Sequence, residues 1–274
     1  MRRIALQLLD EPPPGSLNHI GLRWFAPPPA LLPWVQCYWV AQLPIFSAVE
    51  FNENLYPDGG TSLCIDFRPE ELPLVHFNAF HQTSKMHFSS GVDRMGIRFH
   101  PGGAFQLLGL DMSELMGTEH NVDDLGKNQL SQLQEALVNA DSIHQRIWQF
   151  DNWLLQLAAQ VKAHQGMVQH LLQLIAVAQE PIEVLSSKMP ISRRQLERKF
   201  QLEVGMAPAQ IKQLQRVKQA RTLISRQPDL DLTQIALDTG FYDQAHFIRQ
   251  FQKVTGQTPG QYRKKKMSQK YNPD

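Results

Sequence analysis

Two stretches of the chain carry side chains that can read a nucleic acid, and they carry them at the same places. "LERKFQLEVGMAP", Leu196 to Pro208, and "FIRQFQKVTGQTP", Phe247 to Pro259, align at an offset of 51, pairing Arg198 with Arg249, Phe200 with Phe251, Gln201 with Gln252, Gly205 with Gly256 and Pro208 with Pro259. At about 100° per residue, a helix that turns Leu196 and Phe200 inward turns Arg198 outward, flanked by Arg194 and Gln201, with Gln195 at one side. The same wheel turns Arg249 outward in the second copy, flanked by Ala245 and Gln252, with His246 at the side. Arginine, glutamine and a small apolar residue are the groups that pair with guanine, adenine and the thymine methyl in a major groove. One such helix is ordinarily a solvated face. Two in matched register call for a common task.

The elements that must position these faces are legible on either side. Upstream the copies align at an offset of 50, Leu185 with Ile235, Ser186 with Ala236, Pro190 with Gly240 and Ile191 with Phe241, so one residue is inserted near Tyr242. Two copies are too few for a solenoid, and the pattern predicts one small domain made of two supersecondary units. In the second unit Asp231 caps a helix from Leu232 to about Thr239, Gly240 makes the turn, and Asp243 caps a helix carrying Phe247 and Phe251. In the first, Ile182 to Met189 is one helix, and Ser192 caps the next, which runs through Arg193, Arg194 and Gln195 to Phe200. Each unit is a helix-turn-helix. Between them "APAQIKQLQRVKQARTLISRQ" has Pro208 at a first helical position and apolar residues at helical spacing. A helix of about 17 residues spans roughly 25 Å, enough to hold two reading helices about one DNA turn apart.

These residues resemble the DNA-binding domain of the AraC/XylS transcription regulators, over about Gly166 to Lys266 and most strongly in "IALDTGFYDQAHFIRQFQKVTGQTPGQYRK", Ile235 to Lys264. The resemblance implies base contacts at Arg194, Glu197 and Arg198 in the first reading helix, and at Gln244, Ala245, Ile248 and Arg249 in the second. Arg193, Gln195 and His246 complete the candidate DNA-binding set on the helices. Lys264 and Lys265, in "RKKKMSQK", are expected to touch the DNA backbone or to lie in a tail. Two departures stand out: Ser186 and Pro190 replace the usual alanine and glycine, and Glu197 repels phosphate while suiting cytosine. The partners implied are double-stranded DNA and, for an activator, RNA polymerase.

Charge divides the chain the same way. Residues 166 to 274 hold 17 Lys and Arg against 9 Asp and Glu, whereas residues 1 to 165 hold 10 against 17. The whole-chain net charge of +1 conceals a basic half beside an acidic one. Phosphate neutralisation needs the first and has no use for the second. At 274 residues with 42% apolar content, two cores are expected. The expected division is an N-terminal effector-binding or dimerising domain over 1–162, a DNA-binding domain over 166–266 and a tail over 267–274. No apolar run reaches membrane-spanning length and "IALQLL" is short for a secretory signal, so a cytoplasmic protein is expected. Cys37 and Cys64 are expected as buried apolar groups.

The N-terminal half predicts a β-barrel or sandwich followed by helices, which makes the whole chain α+β. "LPWVQCYWVAQL", "TSLCIDFR", "LVHFNAF" and "MGIRFH" are strand-like runs broken by "YPDGG" and "HPGGA". Helical texture follows in "GAFQLLGL", "NQLSQLQEALVNA" and "DSIHQRIWQFDNWLLQLAAQV", the last with a stripe of Ile147, Phe150, Leu154, Leu157 and Val161. That stripe either packs on its own barrel or joins two copies into a homodimer through the helices around 142–162. The half resembles the effector domains attached to such regulators. His76, His81, His87 and His100 form no His-x-His pair, so neither a metal nor a cofactor is expected and the chain reads as a non-enzyme. Trp39, Phe51, Tyr56, Arg98 and His100 are the candidates for a small-molecule pocket. The competing reading is a constitutive DNA-binding protein whose N-terminal half only binds another protein.

Overall fold

The computed structural model describes residues 22–43, 51–68, 71–117, 119–121, 128–161, 166–178 and 180–271. The strand-like runs form β1 (Arg23–Phe25), β2 (Val35–Gln42), β3 (Phe51–Leu55), β4 (Thr61–Asp66), β5 (Leu74–Asn78), β6 (Ser84–Phe88), β7 (Asp93–Phe99) and β8 (Glu119–Asn121). Six of them make one antiparallel sheet in the order β1-β2-β7-β4-β5-β8, and β3 pairs with β6 as a separate ribbon. The period of two sorts the side chains. Tyr38, Val40, Leu63, Ile65, Met95, Ile97 and Phe99 enter the main core on one face. Trp39, Ala41 and Cys64 join Phe88 of the ribbon in a smaller cluster on the other.

Helices cover the first face. After β7, Gly102 takes a left-handed conformation and α1 (Gly103–Leu108) begins, which makes "HPGGA" a turn into a helix. Then come α2 (Met112–Leu115), α3 (Asn128–Val138) and α4 (Ile143–Ala158). Ser142 and Gln145 close a capping box at the start of α4. Ile147, Phe150, Leu154 and Leu157 are buried in the main core with Val161 packed against it, so the stripe serves its own chain. What α4 shows to solvent is Trp148 and Leu155, 48% and 37% exposed. A buried polar tie across the layers is Tyr38, whose hydroxyl donates to Asp151 Oδ1 at 2.7 Å.

The C-terminal part is all-helical: α5 (Met167–Val177), α6 (Ile182–Ser187), α7 (Arg193–Val204), α8 (Pro208–Arg226), α9 (Leu232–Asp238), α10 (Gln244–Thr255) and α11 (Pro259–Tyr271). Its core takes the repeated apolar positions, Leu185 with Ile235, Leu196 with Phe247 and Phe200 with Phe251. Both α7 and α10 have 12 residues and end on a left-handed glycine, Gly205 and Gly256. At 19 residues α8 is about 28 Å long and joins the two units. The segment expected as a tail is helix as far as Tyr271. No proline or glycine interrupts it after Gly260, and Tyr262 anchors its first turns in the core. Among the described residues no helix is long and apolar enough to cross a membrane.

Candidate nucleic-acid interface and pocket

The two reading helices start from caps written into the sequence. Ser192 Oγ accepts the Gln195 amide at 3.3 Å, and Gln195 Oε1 accepts the Ser192 amide at 3.0 Å and its hydroxyl at 2.9 Å. Gln195 thereby spends its side-chain oxygen on the helix end, while the residue stays exposed beside Arg194. Asp243 Oδ1 accepts the His246 amide at 2.6 Å and starts α10. The His246 ring is half-buried and meets Phe241 edge-on at 5.7 Å.

What stays outward is a matched pair of surfaces. Arg194 and Arg198 are exposed on α7, and Gln244, Ala245, Arg249 and Gln252 are exposed on α10. Ile248 is half-buried and packs against the helical core. Glu197 is bound by its own helix, because Arg193 Nε donates to its Oε1 at 2.9 Å across one turn. That pairing removes much of the repulsion a lone glutamate would present to phosphate. Lys264 is exposed on α11 and Lys265 is half-buried.

A cavity of about 160 Å³ lies between the β-ribbon, the open face of the large sheet and α8. A void near 150 Å³ holds a guest of about benzene size. Its apolar wall includes Trp24, Trp39, Phe80 and Phe88, and its polar edge is Asp58, Arg98, Lys218 and Arg221. Of the sequence candidates the structure brings Trp39, Tyr56 and Arg98 together here. His100 is half-buried and does not line the cavity, though it lies near the charges of Asp58, Lys218 and Arg98 at its edge, and the side chain of Phe51 lies outside the described residues. Burial, partly opposed by Asp58, holds the His100 imidazole below its ordinary pKa.

Sequence reasoning missed Asp58, Lys218 and Arg221. Asp58 sits in the turn "YPDGG" and accepts from Arg98 Nη2, from Lys218 Nζ at 3.0 Å and from the Gly60 amide at 3.0 Å. Burial alone would raise its pKa, but the two cations outweigh it and hold the carboxyl far below the usual range. Arg221 lies over the Tyr56 ring at 3.8 Å, and the Tyr56 hydroxyl accepts from Gln257 Nε2 at 2.8 Å. A helical wheel of α8 counts Lys218 and Arg221 as ordinary solvated charges, because their partners come from 160 residues away. Cys37 and Cys64 are buried and free, with both thiols pushed up to about 12 by burial, which fits inert apolar packing. Among the described residues no group of three His, Cys, Asp or Glu side chains is placed to hold a metal ion.

Two capped, outward-facing helices from one duplicated unit, joined by a single rigid helix, define a DNA-binding domain of the double helix-turn-helix class. Residues 185–265 match the family described as a helix-turn-helix domain, and this region is of the AraC type. Residues 23–121 match a family described as a domain of unknown function (DUF6597). The HTH-type transcriptional regulator MtrA of Neisseria gonorrhoeae is 32% identical over 83 residues, covering 30% of this chain and 27% of that protein. An uncharacterized HTH-type transcriptional regulator of Haemophilus influenzae is 34% identical over 96 residues, 33% of this chain and 32% of its own. The chain therefore spans less than a third of the length of these relatives. Among solved structures, ToxT from Vibrio cholerae aligns with a TM-score of 0.41 at 11% identity, over 82% of this chain and 96% of that one. A TM-score of that size carries neither fold nor function across.

Proposed function

We propose that the protein is a sequence-specific transcription regulator that reads two successive major grooves of double-stranded DNA with α7 and α10, under the control of a small molecule bound between its two halves. The observation that carries the first part is the recurrence of one exposed face, Arg198 with Gln201 and Arg249 with Gln252, on two helices of equal length. The observation that supports the second is a cavity whose wall includes Lys218 and Arg221 of α8, the helix that joins the readers. A molecule in that cavity touches both halves at once. A constitutive DNA-binding protein has no need of such a shared cavity, which favours the regulated reading. RNA polymerase is the further partner if the effect is activation.

Selection of the full-length protein on random duplex DNA at about 150 mM salt tests the DNA part, since non-specific phosphate binding is weak there. Two short preferred blocks centred about one helical turn apart are expected. A single block would mean that only one helix reads, and no enrichment would remove the proposal's foundation.

A further inference from the structure

The two copies of the repeat differ by one residue, and the structure shows which. Before the step, Leu185 matches Ile235 and Met189 matches Thr239, all buried; after it, Leu196 matches Phe247 and Phe200 matches Phe251, again all buried. The core positions on both sides are therefore in register, and the surplus falls between Phe241 and Asp243. Phe241 is pinned: its amide donates to Ala236 O at 2.9 Å, Gly240 beside it has φ 76°, and its ring packs on Phe247 at 5.2 Å. Asp243 is pinned as the cap of α10. The inserted residue, Tyr242, is held between two fixed neighbours and is 89% exposed, the highest exposure of any large apolar side chain among the described residues.

A tyrosine so exposed adds almost nothing to the folding of its own unit, because it removes hardly any apolar surface from water. Its position is informative. The N-terminal residues of a recognition helix lead into the major groove, so the residue just ahead of the cap stands at the groove's edge, where a sugar-phosphate strand passes. Half or more of protein–DNA hydrogen bonds go to phosphate and sugar, and tyrosine hydroxyls are among the regular donors. The first unit offers no counterpart, since half-buried Ile191 runs straight into Ser192.

We infer that Tyr242 is a DNA-positioning residue of the second reading helix, which lays its ring against a deoxyribose and donates its hydroxyl to a phosphate oxygen at the groove edge. It sets how far α10 enters the groove and makes the second unit the anchored reader of the two. This rests on the DNA-binding reading above.

The test uses the full-length protein and the duplexes recovered by the selection. Tyr242→Ala should bind about tenfold more weakly to every one of them, the size expected of one lost hydrogen bond to a charged group together with its ring contact. The ranking of sequences should not change. The slope of log affinity against log salt should also stay the same, because a neutral side chain releases no counterion. Tyr242→Phe keeps the ring and should recover part of the loss, and thermal melting should not move in either variant. Unaltered affinity in Tyr242→Ala overturns the assignment, and so does a loss confined to sequences differing at one base, which would make Tyr242 a base reader. If Arg249→Ala relaxes discrimination while Tyr242→Ala is silent, Tyr242 alone is retired. If neither changes binding, the reading of α10 as a recognition helix falls with it, whereas failure of the selection itself would remove the DNA-binding reading.

Discussion

Arg249 and Lys264 are both exposed cations on the basic half, and the proposed reading gives them different work. Arg249 stands outward on α10 between Ala245 and Gln252, where a guanidinium can pair in two places with guanine. Lys264 stands on α11, not on either reading helix, as a point charge suited to phosphate. Arg249→Ala should therefore cost about 1 to 3 kcal/mol at one base position and relax the preference there. Lys264→Ala should weaken all duplexes alike and lower the salt slope by about one. Fluorescence anisotropy across a salt series on matched and singly altered duplexes measures both, and equal losses without relaxed preference would make Arg249 a phosphate contact. Gln195 shows how one side chain can carry a second duty, since its oxygen is taken by the Ser192 cap while its amide nitrogen takes no part in it.

At the scale of elements, the helical half was readable because local chemistry decides it. Asp231, Ser192 and Asp243 are caps in the structure as in the sequence, and Pro208 opens α8. The strands were also readable from their apolar runs, but their partners were not, because pairing β2 with β7 and β4 with β7 joins residues dozens of positions apart. The pocket depends on that pairing. Trp39 faces Gly96 across β2 and β7, and a Cβ on Gly96 would come within 2.3 Å of the indole. Sequence named Trp39 as a pocket candidate without saying why; its ring forms the cavity wall where the opposite residue, Gly96, has no side chain. Gly96→Ala should push the indole off its seat, destabilise the fold by about 1 to 3 kcal/mol and shift the tryptophan emission. Thermal melting and fluorescence read this together, and an unchanged spectrum would show that the sheet gives way instead of the ring.

Over the whole molecule, the N-terminal half grips the same place in both units. Gly205, which ends α7, lies so close to α2 that a Cβ there would meet Met116 at 2.1 Å. The turn after α10 is met by Tyr56 through Gln257 and by Thr83, whose hydroxyl donates to Val254 O. Between these two grips Asp58, on a loop that also lines the cavity, holds Lys218 of α8, the helix that joins both readers. The ion pair sets a pH dependence with a definite sign. Its carboxyl is held below the ordinary value of 3.8, so its contribution is fully present above that value and fades as pH falls below it toward the folded-state pKa. At neutral pH, Lys218→Met and Asp58→Asn should each lower stability by roughly 1 to 3 kcal/mol. The double variant should lose less than the sum, because both remove one interaction. The gap between the native protein and Asp58→Asn should hold steady from pH 7 to about 5 and narrow only in acid. Denaturant titrations at a series of pH values measure this, and a gap that persists undiminished well below the ordinary carboxylate range would mean that Asp58 acts there by shape and not by charge. DNA affinity followed in the same variants carries the point to function, since a change there would mean that the Asp58 contact to α8, beside the grips at Gly205 and Gln257, bears on how α7 and α10 are presented.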